Sequence, residues 1–205
     1  MKTVLELSTS KAMDYFLQPS NYTTIAFPKY FNFNKIIDFV KTKIGRKDFS
    51  MCLKDVKKFP SDYDKVSYHL LMNKDGRYAY RPLQLVNPYL YYFLVREITK
   101  APNWKFLKKR FKEFENENCE VVSIPLVKDA KDKSMIATTI KSWWEHIEQR
   151  SIELSLEYKY LFVTDITNCY GAIYTHSISW ALYGMLYAKE HREEKNLGKS
   201  IDAYI

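Results

Sequence analysis

The chain has 205 residues, room for one large domain or two small ones, and its 46% hydrophobic and 27% charged content is that of an ordinary globular protein. Five glycines, with neither a P-loop nor a GxGxxG, exclude a glycine-rich phosphate cradle. The formal net charge of +8 favours a polyanionic partner such as nucleic acid, because Lys and Arg displace condensed counterions from phosphates; many basic proteins nonetheless bind none.

Taken in chain order, residues 1 to about 18 read as a short helix. Their charges are spread throughout, with no apolar core of the kind a secretory signal carries. Loop is expected around Pro19 and Pro28. The stretch NKIIDFVKTK, from Asn34, reads as an amphipathic helix, with Asn34 able to cap its start and Gly45 to end it. Tyr68 to Leu85 holds two strand-like runs separated by Asn73-Lys74-Asp75-Gly76, which predicts a hairpin. Pro88 should end the second strand and lead into a helix over 89–99, with Pro102 closing it.

A basic and aromatic helix follows in NWKFLKKRFKEFENEN, then a strand in EVVSIPLV. Ser134 to Tyr158 is the plainest helix, with Ile136, Ile140, Trp143, Ile147 and Leu154 on one face. Lys159 to Asp165 reads as a buried strand, and Thr175 to about Lys189 as one amphipathic helix capped by Thr175. No apolar run reaches the roughly 18 residues of a membrane span. The three cysteines, Cys52, Cys119 and Cys169, match neither a zinc spacing nor a disulfide framework, which suits a reducing cytoplasm. The whole is a mixture of α and β elements.

Several residues carry candidate chemistry. A carboxylate at the end of an apolar strand, Asp165, can face a cleft and hold a divalent cation; it can equally begin a turn. Tyr170 can lie against a nucleotide sugar or fill the core. Lys74, Arg77 and Arg81 sit on or beside the hairpin, where they can clamp phosphates or simply face solvent. Trp104, Lys105, Lys108, Lys109, Arg110 and Lys112 can track a nucleic-acid backbone, or form the polar face of a helix that buries Phe106, Leu107, Phe111 and Phe114. His176 can join the site as a donor or serve the structure.

Two stretches together, NKDGRYAYRPLQLVNP and YLFVTDITNCYGAIYTHSISWALYG, resemble a reverse transcriptase of the bacterial defence-associated, abortive-infection type. The first is similar to the fingers hairpin and the second to motif A of the palm. The resemblance implies a helix-rich α+β fold: right-hand polymerase fingers plus the first part of an incomplete ferredoxin-like palm. It implies an N-terminal helical region over 1–67, a fingers-like region over 68–119 and the start of the palm over 120–205. It further implies that Asp165 is the first metal-binding aspartate, with the Ile166 carbonyl beside it, and that Tyr170 is the aromatic gate against ribonucleotides. Arg81 and Lys74, with Arg77 near them, would face the incoming triphosphate.

The implied reaction is RNA-directed DNA polymerisation by two-metal nucleotidyl transfer, with Mg²⁺ as cofactor. The implied partners are an RNA template and primer or DNA, deoxynucleotide triphosphates, a non-coding RNA and the remainder of the polymerase, in the cytoplasm and with no membrane. The family's motif B and Tyr-x-Asp-Asp loop do not occur in this sequence. A lone aspartate should hold Mg²⁺ poorly, so this chain by itself is expected not to polymerise. The alternative is a non-catalytic nucleic-acid-binding or assembly module derived from such an enzyme.

Overall fold

The computed structural model describes residues 2–23, 25, 27–28, 30–52, 59–73, 80–115, 121–127, 135–166 and 169–205, apart from the side chains of 64–65, 135–141 and 170. The fold is α+β and rich in helix, with two small antiparallel sheets among the described residues.

The N-terminus differs from the helix expected there. It opens on a short strand, β1 (Lys2–Thr3), and a 3-10 turn (Val4–Glu6) before α1 (Thr9–Phe16) begins. The Thr3 amide donates to Glu6 Oε1 at 2.7 Å, and that bond holds the Glu6 carboxyl below the usual carboxylate range. Pro19 opens a single turn, α2 (Pro19–Tyr22), where loop was expected.

The next helix, α3 (Phe33–Ile44), starts two residues earlier than Asn34 would place it. Asn32 is its cap, accepting from the Lys35 amide at 3.1 Å, and Gly45 ends it at φ 53°. Ile37, Val40 and Ile44 recur on one face and are buried, while the exposed faces carry Lys35, Asp38, Lys41 and Lys43 together with Ile36 and Phe39.

A single turn, α4 (Phe49–Cys52), follows. The hairpin is formed by β2 (Tyr68–Asn73) and β3 (Tyr80–Leu85), paired antiparallel from Tyr68↔Leu85 to Asn73↔Tyr80. The turn residues 74–79 lie outside the described residues.

Asn87 caps α5 (Pro88–Thr99), accepting from the Tyr89 amide at 2.9 Å, with Pro88 at its first position. Pro102 does not close α5 as the sequence suggests. It lies in the first turn of α6 (Ala101–Glu113), where a missing amide hydrogen costs nothing because that turn has no acceptor for it.

Of the strand expected in EVVSIPLV, the described part is β4 (Leu126–Val127), paired with β1. The long helix α7 (Met135–Ser155) lies as expected, but Ile147 and Leu154 are exposed on it.

Then the largest departure occurs. The apolar run before Asp165 is not a buried strand: residues 158–166 carry no regular structure, and Phe162 is 89% exposed. A strand is held by hydrogen bonds to a neighbour, and no described strand pairs with this run.

Beyond it, α8 (Cys169–Ala172) is a single turn. The single helix expected over 175–189 is two, α9 (Ser177–Tyr183) and α10 (Met185–Glu190). They are separated by Gly184 at φ 89°, a conformation that favours glycine. The break turns Met185 out to solvent, and His176 rather than Thr175 takes the cap position. The last helix is α11 (Leu197–Asp202), capped by Asn196 on the Lys199 amide at 3.0 Å.

Two apolar clusters hold the fold together. One joins Val4, Leu7 and Tyr15 to Trp104 and Leu107 of α6 and to Leu182, Leu197 and Ile201 of the last helices. The other joins Tyr22, Ile37, Val40 and Ile44 to Tyr92, Phe93 and Val95. Helix α5 packs against α1, α3, α6 and α11, so its two sides serve both clusters. The cores therefore combine residues far apart in sequence, and each fully buried aliphatic side chain stabilises by roughly 1.5–3 kcal/mol.

Candidate functional site

Asp165 lies at the end of the exposed run, and its Oδ1 accepts from the Ile166 amide at 2.7 Å. Ile166 is itself exposed. The backbone of Tyr170 lies in the α8 turn; its ring lies outside the described side chains.

A carboxylate and an adjacent carbonyl supply only part of the near-octahedral oxygen shell that Mg²⁺ demands. Among the described residues, no three His, Cys, Asp or Glu come together in a way that could hold a metal ion. The residues described do not by themselves fit a resident Mg²⁺.

Lys74 and Arg77 lie outside the described residues. Arg81 lies on β3 opposite Met72 and is exposed. Strand alternation puts it on the same face as Leu83 and Leu85, and Leu85 packs against the second cluster. Arg81 makes no hydrogen bond or ion pair among the described residues, and an exposed guanidinium is a group that can bind an anion.

On α6 the structure divides the residues that sequence reading grouped. Trp104 is 3% exposed, and its indole N–H donates to the Leu7 carbonyl at 2.9 Å. It presents no ring face to a base and acts as a core anchor. Arg110 is committed as well: Nε and Nη2 donate to the Ala181 carbonyl at 3.2 and 2.7 Å, and Nη1 pairs with Glu113. The Arg110 guanidinium beside Glu113 holds that carboxyl below its usual range.

Lys109 reaches the same carboxylate at 3.5 Å. Lys105 and Lys108 form no ion pair among the described residues; the first is exposed and the second half-buried. Phe111 and Phe114, which the alternative reading buried, are exposed. Arg110 stacks over the Phe114 ring at 4.7 Å.

Three further features emerge from the tertiary structure. The His176 ring nitrogen Nδ1 bonds Asp202 Oδ2 at 2.5 Å, joining the start of α9 to the end of α11. A cleft of about 590 Å³ is lined by Phe49, Phe59, Phe93 and Tyr204, with Arg96, Lys100, Asp48 and Glu97 among its polar groups. Arg96 is held there by the Lys47 carbonyl at 2.6 Å and Asp48 at 3.8 Å, so its charge is largely answered. Third, an exposed aromatic lies among lysines on α3. Only this last carried a sequence signal, the spacing of Lys35, Phe39 and Lys43 four residues apart.

Compared with protein-family models the chain matches none, and no curated protein matches it in sequence. Among the described residues, no helix is long and apolar enough to cross a membrane.

Proposed function

We propose that the chain represents the fingers and the front of the palm of a reverse transcriptase, an RNA-directed DNA polymerase of a bacterial antiphage defence system acting in the cytoplasm. The observation that carries this reading is the pair of motifs that resemble the fingers hairpin and motif A, in that order along one basic chain. Two structural facts support it. The two strand-like runs pair as an antiparallel hairpin, and Arg81 on it is exposed and makes no ion pair among the described residues. Asp165 is exposed at the end of an apolar run and is followed by a helical turn.

In this reading Arg81 binds the triphosphate of an incoming deoxynucleotide, together with Lys74 and Arg77. Asp165 contributes one carboxylate toward a catalytic set, and Tyr170 checks the sugar. The nucleic-acid partner is an RNA template with its primer.

The test is a labelled template–primer bound to the chain, with and without the deoxynucleotide triphosphate that the template calls for. The complementary triphosphate should slow dissociation, and Arg81→Glu should abolish that effect. Indifference to the triphosphate would sink the reading. Primer extension by this chain is expected to be absent. A clear extension signal that is lost in Asp165→Ala would show instead that the chain carries a complete site.

A second reading, a non-catalytic nucleic-acid-binding module, is favoured by Asp165 having no metal-holding group of carboxylates around it among the described residues. Its test is charge reversal at Lys105 and Lys108, two of the α6 cations without an ion pair among the described residues. RNA affinity and its salt dependence should both fall. Arg110 is unsuitable for that test, because its bonds to Ala181 join α6 to α9.

A further inference from the structure

We infer that the outer face of α3, with the aromatic residues that lead into it, is a binding surface for single-stranded nucleic acid. This rests on the geometry of residues 30–47 and not on the polymerase reading.

Helix α3 buries Ile37, Val40 and Ile44 in the core, and its opposite face is exposed. On that face Lys35, Phe39 and Lys43 follow at four-residue steps, forming a stripe of cation, ring and cation. Phe39 is 53% exposed, and Lys43 Nζ stands 5.5 Å from its ring centre. A large apolar ring held in water between two lysines contributes little to the fold.

At the entrance to the helix, Tyr30 is 81% exposed and Phe31 is also exposed, their ring centres 4.9 Å apart. Phe31 lies nearly parallel to Phe33, which packs against the core, so the outer rings are backed by the fold.

Between Phe33 and Lys47 the charged residues are Lys35, Lys41, Lys43, Arg46 and Lys47, against Asp38 alone. None of the five cations pairs with a carboxylate among the described residues. On α6, by contrast, Glu113 draws in two of the cations, Lys109 and Arg110.

Cations along a line with interposed aromatic faces match a single strand, whose phosphates need counter-charge and whose unpaired bases expose π faces. A duplex keeps its bases stacked inside and would leave the rings unused. An acidic membrane surface suits this face less. A helix lying on lipid inserts a broad apolar face, and the apolar face of α3 is already in the core.

The test is fluorescence anisotropy with labelled oligouridine and oligothymidine of about 16 nucleotides and a duplex of equal length. Phe39→Ala should weaken single-strand binding about tenfold and leave duplex binding unchanged. Lys35→Ala with Lys43→Ala should lower the slope of log affinity against log salt by about 1.4, measured from about 50 to about 200 mM. Phe39→Trp should retain affinity, with its indole fluorescence quenched by the oligonucleotide. Thermal melts establish that each variant remains folded.

Unchanged single-strand affinity in both the Phe39 and the lysine variants would overturn the inference, even if α6 or Arg81 variants still bind less well. Tighter binding to vesicles of anionic phospholipid than to either oligonucleotide would overturn it too. The polymerase reading fails on a different result, the indifference of the template–primer complex to triphosphate.

Discussion

Gly198→Ala sets two effects of known size against each other. Gly198 is the second residue of α11, and alanine in place of glycine within a helix ordinarily stabilises by roughly 0.5–1 kcal/mol. Here a Cβ on residue 198 would stand 2.4 Å from Ser179 Oγ and 2.6 Å from Ser179 Cα. The hydroxyl can rotate away. The Cα cannot, so α9 and α11 would have to move apart around Leu182, Leu197 and Ile201.

Overpacking of this kind costs about 1–3 kcal/mol, and a clash with backbone belongs in the upper half of that range. After the helix preference is subtracted, a net loss of about 1–2.5 kcal/mol remains. For a chain of this size that corresponds to a fall in Tm of roughly 2–10 °C. Urea unfolding followed by far-ultraviolet circular dichroism measures it. Ser179→Ala in the same background should not restore stability, because Cα stays where it is. A Gly198→Ala protein as stable as its parent, or more stable, would refute the close approach of α9 and α11.

Other consequences concern the core. Trp104→Phe keeps most of the ring but leaves the Leu7 carbonyl without its indole donor, a loss of about 1–3 kcal/mol. The urea midpoint should fall with an unchanged m-value, and an unmoved midpoint would mean that this bond contributes nothing. Alkaline titration probes three tyrosines. Burial pushes Tyr22 and Tyr204 up to about 12, and pushes Tyr91 up as well. Their folded values lie above the ordinary value of 10.0, so the stability they contribute is complete below that pH and is lost as pH rises toward 12. The last part of the tyrosinate absorbance, from these three among the 17 tyrosines, should therefore appear together with loss of the circular dichroism signal. Ionisation of all the tyrosines near their ordinary value, with the fold intact, would contradict the burial described. Tyr22 and Tyr91 each donate a hydroxyl proton to a backbone carbonyl at 2.5 Å, Val86 and Phe16 respectively, so ionising them also removes donors.

Much of the local structure was legible because its causes are local. The apolar spacing of α3 and the glycine after it, the two runs of the hairpin, and the length of α7 all follow from patterns a few residues long. The break at Gly184 was not legible: a single helix was expected across it, because sequence does not say whether a glycine within an apolar helical pattern is tolerated or breaks the helix. Its φ of 89° is the answer.

For the candidate site, sequence determined the inventory: a basic chain, a hairpin arginine at 81, a carboxylate at 165 after an apolar run, and lysines interleaved with aromatics. Tertiary structure decided which of those groups face a ligand. Trp104 looked like a stacking platform and is a core residue, because the Leu7 carbonyl and the first apolar cluster claim its indole. Phe39 read as part of a helix's apolar pattern and faces solvent, because Ile37, Val40 and Ile44 fill the contact with α5. The run 160–163 has every residue type a strand prefers and is not one. A helix closes its hydrogen bonds within its own segment, so sequence can specify it alone; a strand closes them on a neighbour, and only the tertiary structure supplies one.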